Sequence, residues 1–293
     1  MEQITKTKYV HPEVLVDTQW VEEHLDDKHV RIVEVDYDPK SNYNLGHIPT
    51  SILIDWRKDV NDPIPRDILN IDDFQTLLQI NGINNNTTVI LYGDFNNWFA
   101  AFAFWVFKYY RYNDVRLLDG GRKKWLEEDR PISKEVVNYP HGNYQLDEKI
   151  EPNDDIRAFL DQVKNVLVSR WNFQLSLVDV RSEAEYRGEI TAPPEYPTEG
   201  AQRGGHIPGA KNVPWGQVIK DDGTFKTVEE IRKLYEEQEI TKDKDIITYC
   251  RIGERSSHTW FVLKYLLGYP NVKNYDGSWT EWGNLIGNRI EKW

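Results

Sequence analysis

The stretch DIITYCRIGERSSHTWFVLKYLL, residues 245–267, contains the three parts that decide the fold. Residues 245–249 are mostly apolar and predict a buried strand. Cys250 to Ser256 form a polar turn around Gly253, and residues 260–267 form an apolar helical stretch. A strand that turns directly into a helix is the building unit of an α/β fold with a parallel sheet.

A second copy of this unit lies earlier in the chain. The segment TVILYG, residues 88–93, aligns with DIITYC and places Gly93 opposite Cys250, 157 residues away. The same separation of 157 residues relates Asp119 to Asp276 and Trp125 to Trp282. Gly-His-Ile-Pro also occurs twice, at 46–49 and at 205–208. A constant offset over more than thirty residues indicates a tandem duplication.

The duplication predicts two tandem domains, each a parallel sheet flanked by helices. We expect a first domain at 1–131, a polar, turn-rich linker at 132–152 and a second domain at 153–293. The second copy has 16 additional residues, within 183–203, whose Pro, Glu and Gly content predicts a loop or flap. The apolar run 99–107 is too short to span a bilayer and predicts a buried helix.

Composition narrows the class of protein. The chain has 293 residues with a formal net charge of -12, which argues against general affinity for nucleic acid or for anionic membranes. The mean hydropathy is -0.67, and the N-terminus lacks the apolar core of a secretory signal. One cysteine excludes an intrachain disulfide and any metal site built from several cysteines. We therefore expect a cytoplasmic protein.

Cys250 is the strongest candidate for chemistry. A cysteine between a strand and a helix lies where backbone N–H groups converge and the helix dipole is positive. Together with Arg251 and Arg255, these surroundings predict a lowered thiol pKa and a stabilised anion on sulfur. Gly253 allows the chain to curl, and Glu254 is expected to pair with a loop arginine. A lone cysteine is more often a small buried apolar residue, but two arginines and a glycine beside it favour the nucleophile.

These residues resemble the active-site loop of the rhodanese family of thiosulfate sulfurtransferases. Further motifs match in family order over nearly the whole chain: DVR at 179–181, EY at 185–186, GHIPGA at 205–210 and YDGSW at 275–279. The resemblance implies an inactive first domain and a catalytic second one, which fits Gly93 opposite Cys250. The implied active-site loop consists of Cys250, Arg251, Ile252, Gly253, Glu254, Arg255 and Ser256.

The resemblance also implies the reaction, a double displacement. The Cys250 thiolate attacks the outer sulfur of thiosulfate, sulfite leaves, and a persulfide remains until cyanide or a thiol removes its sulfur. No metal or organic cofactor is needed. Preorganised amides and cations supply the stabilisation that a negative charge on sulfur demands.

Other motifs are expected to be structural. His47 and His206 belong to a motif present in both copies, so a turn or packing role is favoured. Asp179 is expected to hold a loop end, with Arg181 bracing it by an ion pair. Where many animal rhodaneses place a substrate-facing arginine before the tyrosine, this chain has Glu185, and Arg187 is the residue that could reach the pocket instead. Ile252 stands where many thiosulfate-specific relatives have lysine.

Three alternative functions are distinguishable. A 3-mercaptopyruvate sulfurtransferase tends to have a small residue after the cysteine, where this chain has Arg251. A phosphatase of the same fold needs five residues between cysteine and arginine, whereas Cys250 and Arg255 are separated by four. A sulfur carrier or regulatory module that docks a partner protein would still use Cys250 as its sulfur site.

Overall fold

The computed structural model describes residues 9–146, 151–168 (166–168 by their backbone only), 174–194, 196–197 and 199–292. The chain forms two compact units. The first unit comprises residues 13–153 and 221–225, and the second comprises 1–12, 154–220 and 226–293, as far as these are described. The predicted boundaries at 131 and 153 stay predictions. The predicted linker 132–152 groups with the first unit, and its residues 147–150 lie outside the described residues, as do 1–8 of the first predicted domain.

The first unit is built on a five-stranded parallel sheet. Its strands are β1 (Leu15–Val16), β2 (Val30–Asp36), β3 (Ile52–Asp55), β6 (Thr88–Tyr92) and β7 (Val115–Leu118), in the order β1-β7-β6-β2-β3. A short antiparallel ladder joins β4 (Asn61–Asp62) to β5 (Asp67–Ile68). The helices are α1 (Thr18–Glu23), α2 (Trp56–Asp59), α3 (Ile71–Ile80), α4 (Trp98–Tyr109) and α5 (Gly121–Glu127).

The second unit repeats this plan with a four-stranded parallel sheet. Its strands are β8 (Leu175–Asp179), β9 (Lys211–Asn212), β10 (Asp245–Tyr249) and β11 (Val272–Tyr275), in the order β11-β10-β8-β9. The helices are α6 (Leu160–Val168), α7 (Glu183–Arg187), α8 (Val228–Glu236), α9 (Glu254–Phe261) and α10 (Ser278–Asn284), and a π-helical turn at Val262–Leu266 continues α9. The predicted α/β class with two parallel sheets flanked by helices is confirmed.

Two local predictions are corrected. The helix after Cys250 begins at Glu254, so residues 254–256, which were assigned to the loop, form its first turn. The segment 183–203 begins with helix α7 because Ser182 and Glu185 form a capping box, in which each side chain accepts a hydrogen bond from the other residue's N–H group. Residues 195 and 198 of this segment lie outside the described residues.

Burial explains why these segments fold as they do. The seven residues of β2 are all buried, as expected for a strand inside a parallel sheet. Helix α4 is buried along its length except at Lys108, which confirms the buried helix predicted from the apolar run 99–107. Over the described residues, every helix is too short or too polar to cross a membrane.

Candidate active site

Cys250 lies at the carboxyl end of β10, an inner strand of its sheet with β8 on one side and β11 on the other. Ligands of parallel α/β sheets bind at this edge. The chain reverses within three residues because Gly253 takes a φ of +103°, a conformation that costs glycine little. Helix α9 starts at the next residue, so its first N–H groups face the cysteine.

The Cys250 sulfur is fully buried and touches three polar groups. The Gly253 N–H donates to Sγ at 3.2 Å, and the Ser256 hydroxyl contacts Sγ at 3.6 Å. The thiol itself donates to Glu254 Oε2 at 3.2 Å. Sequence reasoning placed Glu254 against a loop arginine and missed this contact with Cys250.

The predicted lowering of the Cys250 pKa is wrong. Burial raises the pKa of the thiol, and the neighbouring Glu254 carboxylate raises it further. Arg255 and the hydrogen bonds from Ser256 oppose this shift without reversing it. The protonated thiol is therefore favoured over the thiolate.

Arg255 forms a buried ion pair that sequence reasoning missed. Its two terminal nitrogens donate to the Glu185 carboxylate at 2.7 and 3.0 Å, and neither side chain is more than 2% exposed. Burial alone would raise the pKa of Glu185, but the charge and hydrogen bonds of Arg255 lower it to about 2. Glu254 Oε1 lies 3.6 Å from Arg255 Nε, so the expected pairing of Glu254 with a loop arginine is present, but as a longer contact.

Arg251 is also buried and faces a residue of the additional segment in the second copy. One of its terminal nitrogens donates to the Tyr196 carbonyl, and its guanidinium stacks 3.9 Å from the centre of the Tyr196 ring. The Arg251 carbonyl accepts from Thr280 N–H at 2.9 Å. Ile252 is buried and contributes an apolar side chain where a charged one would be costly.

Ser278 holds the backbone of the cysteine. Its hydroxyl accepts from the Cys250 N–H at 3.1 Å and donates to the Tyr275 carbonyl at 2.6 Å. The Trp279 N–H donates to the Cys250 carbonyl at 3.1 Å. Ser278 makes these contacts at a φ of +52°, a left-handed conformation that is costly for a residue other than glycine. Ser278 belongs to the motif YDGSW at 275–279, but the motif alone predicts no role for it.

The residues expected to support the loop or the substrate, Asp179, Arg181 and Arg187, lie in two places. Arg181 pairs with Asp179 at 2.6 Å and donates to the Gly205 carbonyl at 2.7 Å, so it joins the end of β8 to the Gly-His-Ile-Pro turn. Both members of this pair are fully buried. Arg187 is 48% exposed and pairs with Glu183 on the surface of α7. The suggested approach of Arg187 to the pocket stays a prediction.

The two histidines of the repeated motif make the same ring stack and the same Nδ1 contact in both units. His206 stacks on Tyr186 with ring centres 3.6 Å apart, and its Nδ1 lies 2.8 Å from the Tyr186 carbonyl. His47 stacks on Tyr43 at 3.8 Å, and its Nδ1 lies 3.0 Å from the Tyr43 carbonyl. Equal geometry in the copy without a cysteine fits the structural role expected for both. Over the described parts of the chain, no group of three or more His, Cys, Asp or Glu side chains is arranged to hold a metal ion.

The corresponding position of the first unit lacks a side chain. Gly93 follows β6, and its N–H donates to Asn97 Oδ1 at 3.0 Å, while Asn97 Nδ2 donates to the Leu118 carbonyl at 2.7 Å. Phe95, Asn96 and Asn97 all have positive φ angles, between +46° and +66°. A Cβ atom at Gly93 would lie 2.4 Å from the Val35 carbonyl oxygen.

Comparison with known proteins identifies relatives of the whole chain. The model of the rhodanese-like domain matches twice, at residues 17–128 and 160–285. Sulfur carrier protein TtuD of Thermus thermophilus is 58% identical over 97% of this chain and 98% of its own length. A protein of Mycolicibacterium smegmatis, provisionally named a thiosulfate sulfurtransferase, is 52% identical over 95% of this chain and 98% of its own. A persulfide form of EanB, solved with ergothioneine, has a TM-score of 0.82 at 26% identity and covers 97% of this chain and 71% of its own.

Proposed function

The chain belongs to the rhodanese-like family, and we propose that it transfers the sulfane sulfur of thiosulfate to a thiophilic acceptor through a persulfide on Cys250. Rhodanese-type sulfur transfer is the role that its relatives' names support. The finer assignment depends on the second unit, which has the one cysteine of the chain.

One observation carries the proposal: hydrogen-bond donors converge on a buried sulfur. The Gly253 N–H donates to Cys250 Sγ at 3.2 Å, and the backbone N–H of Ser256, in the first turn of α9, also donates to the sulfur, with the Ser256 hydroxyl 3.6 Å away. Donors fixed in a water-excluded site stabilise a charge that develops during reaction, because no reorganisation is needed at that moment. A cysteine used only for packing needs no such donors.

The first half-reaction loads sulfur onto the enzyme. The Cys250 thiolate attacks the outer sulfur of thiosulfate, the sulfur–sulfur bond of thiosulfate breaks, and its electron pair leaves with sulfite. The product is a persulfide whose terminal sulfur carries the negative charge. The backbone N–H groups at the start of α9 and the Arg255 guanidinium supply the stabilisation for this anion.

The second half-reaction unloads the enzyme. Cyanide or a thiolate attacks the terminal sulfur, the persulfide bond breaks, and the Cys250 thiolate leaves with the electron pair. The acceptor carries the sulfur away as thiocyanate or as a new persulfide. Because Cys250 itself accepts and releases the sulfur, this cycle requires no metal or organic cofactor.

The test is the intact mass of the protein after exposure to thiosulfate. We expect a gain of one sulfur, roughly 32 Da, that cyanide reverses and that Cys250→Ser lacks. Wild-type protein that keeps its mass under thiosulfate, while remaining folded, would disprove the mechanism. Serine retains the size of the side chain and removes the nucleophilic sulfur, so it is the matched control.

The donor preference depends on Arg251. Its buried positive charge favours dianionic thiosulfate over 3-mercaptopyruvate, the alternative donor. We expect Arg251→Gly to weaken the use of thiosulfate more than the use of mercaptopyruvate, measured as kcat/KM for each donor. Equal losses for both donors would refute this role and favour a purely structural contact with Tyr196.

A second candidate function is that of a sulfur carrier that docks a partner protein, and the name of the Thermus relative favours it. A carrier would be loaded on Cys250 by the same chemistry but would turn over slowly with free acceptors. Steady turnover with thiosulfate and cyanide would support the enzyme. Stoichiometric loading without turnover would support the carrier.

A further inference from the structure

We propose that Glu254 is a catalytic residue that takes the proton of Cys250 when sulfur is loaded and returns it when sulfur leaves. This inference deepens the proposed function and rests on it. It assigns a proton acceptor to a nucleophile that the fold keeps as a buried thiol.

The geometry brings the two groups into direct contact. Cys250 Sγ donates to Glu254 Oε2 at 3.2 Å, and both side chains are fully buried. Bulk water therefore does not reach the thiol to remove its proton. Glu254 is the first residue of α9, and the turn closed by Gly253 directs its carboxylate back toward the cysteine.

The neighbouring charges leave one oxygen of this carboxylate facing the thiol. Arg255 directs its two terminal nitrogens to Glu185 from α7, at 2.7 and 3.0 Å, whereas its Nε lies 3.6 Å from Glu254 Oε1. Arg181, at the end of β8, acts on the same Glu185 and is paired with Asp179. Arg255 is therefore paired more closely with Glu185 than with Glu254, and Glu254 Oε2 faces the thiol.

Two further side chains near the Cys250 turn could carry a charge. Arg251 lies in the same turn and contacts Tyr196. His258, one turn further along α9, is held neutral because burial lowers its pKa to about 3. A neutral imidazole adds no charge that would compete with Glu254 for the thiol proton.

The proton and the electrons balance in both half-reactions. During loading, the S–H proton moves to Glu254 as the sulfur attacks, so thiol, carboxylate and thiosulfate give persulfide anion, carboxylic acid and sulfite. During unloading with cyanide, the persulfide bond breaks toward Cys250, whose sulfur takes the proton back from Glu254 while thiocyanate leaves. Glu254 is neutral while the persulfide is present, so no carboxylate repels the charged sulfur.

The first unit supports this role through its own sequence. Gly93 stands where Cys250 stands, and Asn97 stands where Glu254 stands, each 157 residues earlier. A side-chain amide accepts a hydrogen bond but does not take up a proton near neutral pH. The carboxylate therefore occurs in the copy that has the thiol and is replaced in the copy that lacks it.

The test compares the rate at which Glu254→Gln and the wild type form a persulfide under thiosulfate. Rapid-quench mass spectrometry measures this rate at a series of pH values. We expect the variant to load about 100-fold more slowly at neutral pH, the usual size of a general-base contribution. The difference should shrink as the pH rises, because a growing fraction of the thiol is already ionised before thiosulfate binds and no longer needs the base. The ultraviolet absorbance of the thiolate should show a lower thiol pKa in the variant, since Glu254 is one cause of the raised pKa.

These expectations separate proton transfer from simple electrostatics. If Glu254 only repels the thiolate, its removal increases the thiolate fraction and speeds loading, so a rate equal to or above wild type overturns the inference. Loss of loading in wild type as well would instead refute the proposed function. Glu237→Gln, on a side chain 61% exposed, is the matched control for charge removal and should load normally.

A second pair of variants keeps the test informative if glutamine disturbs the fold. Glu254→Asp and Glu254→Asn have the same size and share any packing defect, but only the aspartate accepts a proton. We expect the aspartate variant to load faster at neutral pH and the two to converge at high pH. Equal rates with the same pH dependence would contradict the role of Glu254 as a proton acceptor.

Discussion

The turn after β6 in the first unit and the turn after β10 in the second occupy equivalent places in the fold, but their residues and backbone conformations differ. Both follow an inner strand of a parallel sheet and lead directly into a buried helix. In the second unit, Gly253 alone takes the left-handed conformation between Cys250 and the helix, whereas in the first unit Phe95, Asn96 and Asn97 all do. The two turns therefore differ in backbone conformation and not only in the side chain at positions 93 and 250.

The hydrogen bonds of the two turns also differ, because different side chains bridge the equivalent backbone groups. In the second unit, the Ser278 hydroxyl joins the Cys250 N–H to the Tyr275 carbonyl. In the first unit, the aligned residue is Gly121, and the Asn97 amide joins the Gly93 N–H to the Leu118 carbonyl. The same two backbone groups are therefore connected in both units, but by a side chain from a different element.

The buried charges differ as well. The second unit has paired arginines, with Arg255 on Glu185 and Arg181 on Asp179. The first unit has three acidic residues, Glu34, Asp36 and Asp94, around Arg122, which donates to Glu34 at 2.7 Å. Burial raises the pKa of Glu34 to about 7 and that of Asp36 and Asp94 to about 8 each.

The largest effect that we expect from this contrast is on stability: the stabilities of the two units should change in opposite directions as the pH rises. Asp36 and Asp94 bind protons more tightly in the folded protein than in the unfolded chain. Their contribution to stability is therefore complete below pH 3.8 and is lost as the pH rises through about 8. The loss is on the order of 5 kcal/mol for the coupled cluster. In the second unit, burial lowers the pKa of His258 from 6.5 to about 3, so that unit gains stability as the pH rises from 3 to 6.5.

Peptide-resolved hydrogen exchange, corrected for the intrinsic rate at each pH, measures both responses in one sample. Between about pH 5 and about pH 8, protection should fall in peptides from β2 and β6 and should hold or rise in peptides from β8 and β10. Asp36→Asn should flatten the response of the first unit. A parallel decline in both units would show that the acidic cluster does not govern stability.

The next effect concerns a cysteine placed in the first unit at the position equivalent to Cys250. Gly93→Cys places a Cβ atom 2.4 Å from the Val35 carbonyl oxygen, so we expect a loss of about 3 kcal/mol in the free energy of unfolding. In a Cys250→Ser background, this variant should gain no sulfur from thiosulfate. Gly216→Cys, where a Cβ has no neighbour within 4 Å, is the matched control and should keep its stability. Sulfur loading on residue 93 would mean that glycine alone separates the two copies.

The smallest effect concerns Ser278. Ser278→Ala removes the acceptor of the buried Cys250 N–H and should cost about 1–2 kcal/mol and slow persulfide formation. Ser278→Gly removes the same acceptor but relieves about 1 kcal/mol of left-handed strain, so it should be the more stable variant. Urea unfolding and single-turnover mass spectrometry measure the two properties separately. If the loading rates differ as the stabilities do, Ser278 acts on the fold and does not position the cysteine.

The sequence was sufficient for features that depend on neighbours along the chain. The apolar run at residues 245–249 predicted β10, because a strand inside a parallel sheet is apolar on both faces, and its alignment with residues 88–93 fits β6. The duplication placed Cys250 between a strand and a helix and aligned Gly93 with it. Strand β1 was missed because two residues are too few to show a periodic pattern.

The remaining site depends on contacts between distant residues. Glu185 and Arg255 are 70 positions apart, and no local pattern marks them as partners. The direction of the Cys250 pKa depends on full burial and on the side-chain conformation of Glu254, which the tertiary fold determines. The role of Ser278 depends on β10 and β11 lying side by side. Local spacing identifies Cys250 as the candidate residue but not the distant side chains that surround its sulfur.

The exchange between Asn97 and Ser278 has an evolutionary consequence. A Cβ atom at Gly121 would lie 2.3 Å from Asn97 Oδ1, so a serine there clashes while Asn97 remains. Replacing Asn97 first would leave the buried Gly93 N–H without its acceptor. Each step toward the active arrangement is thus unfavourable until the other is made, a case of sign epistasis. We expect drift to keep the turn of the first unit folded without converting it to the arrangement of the second unit.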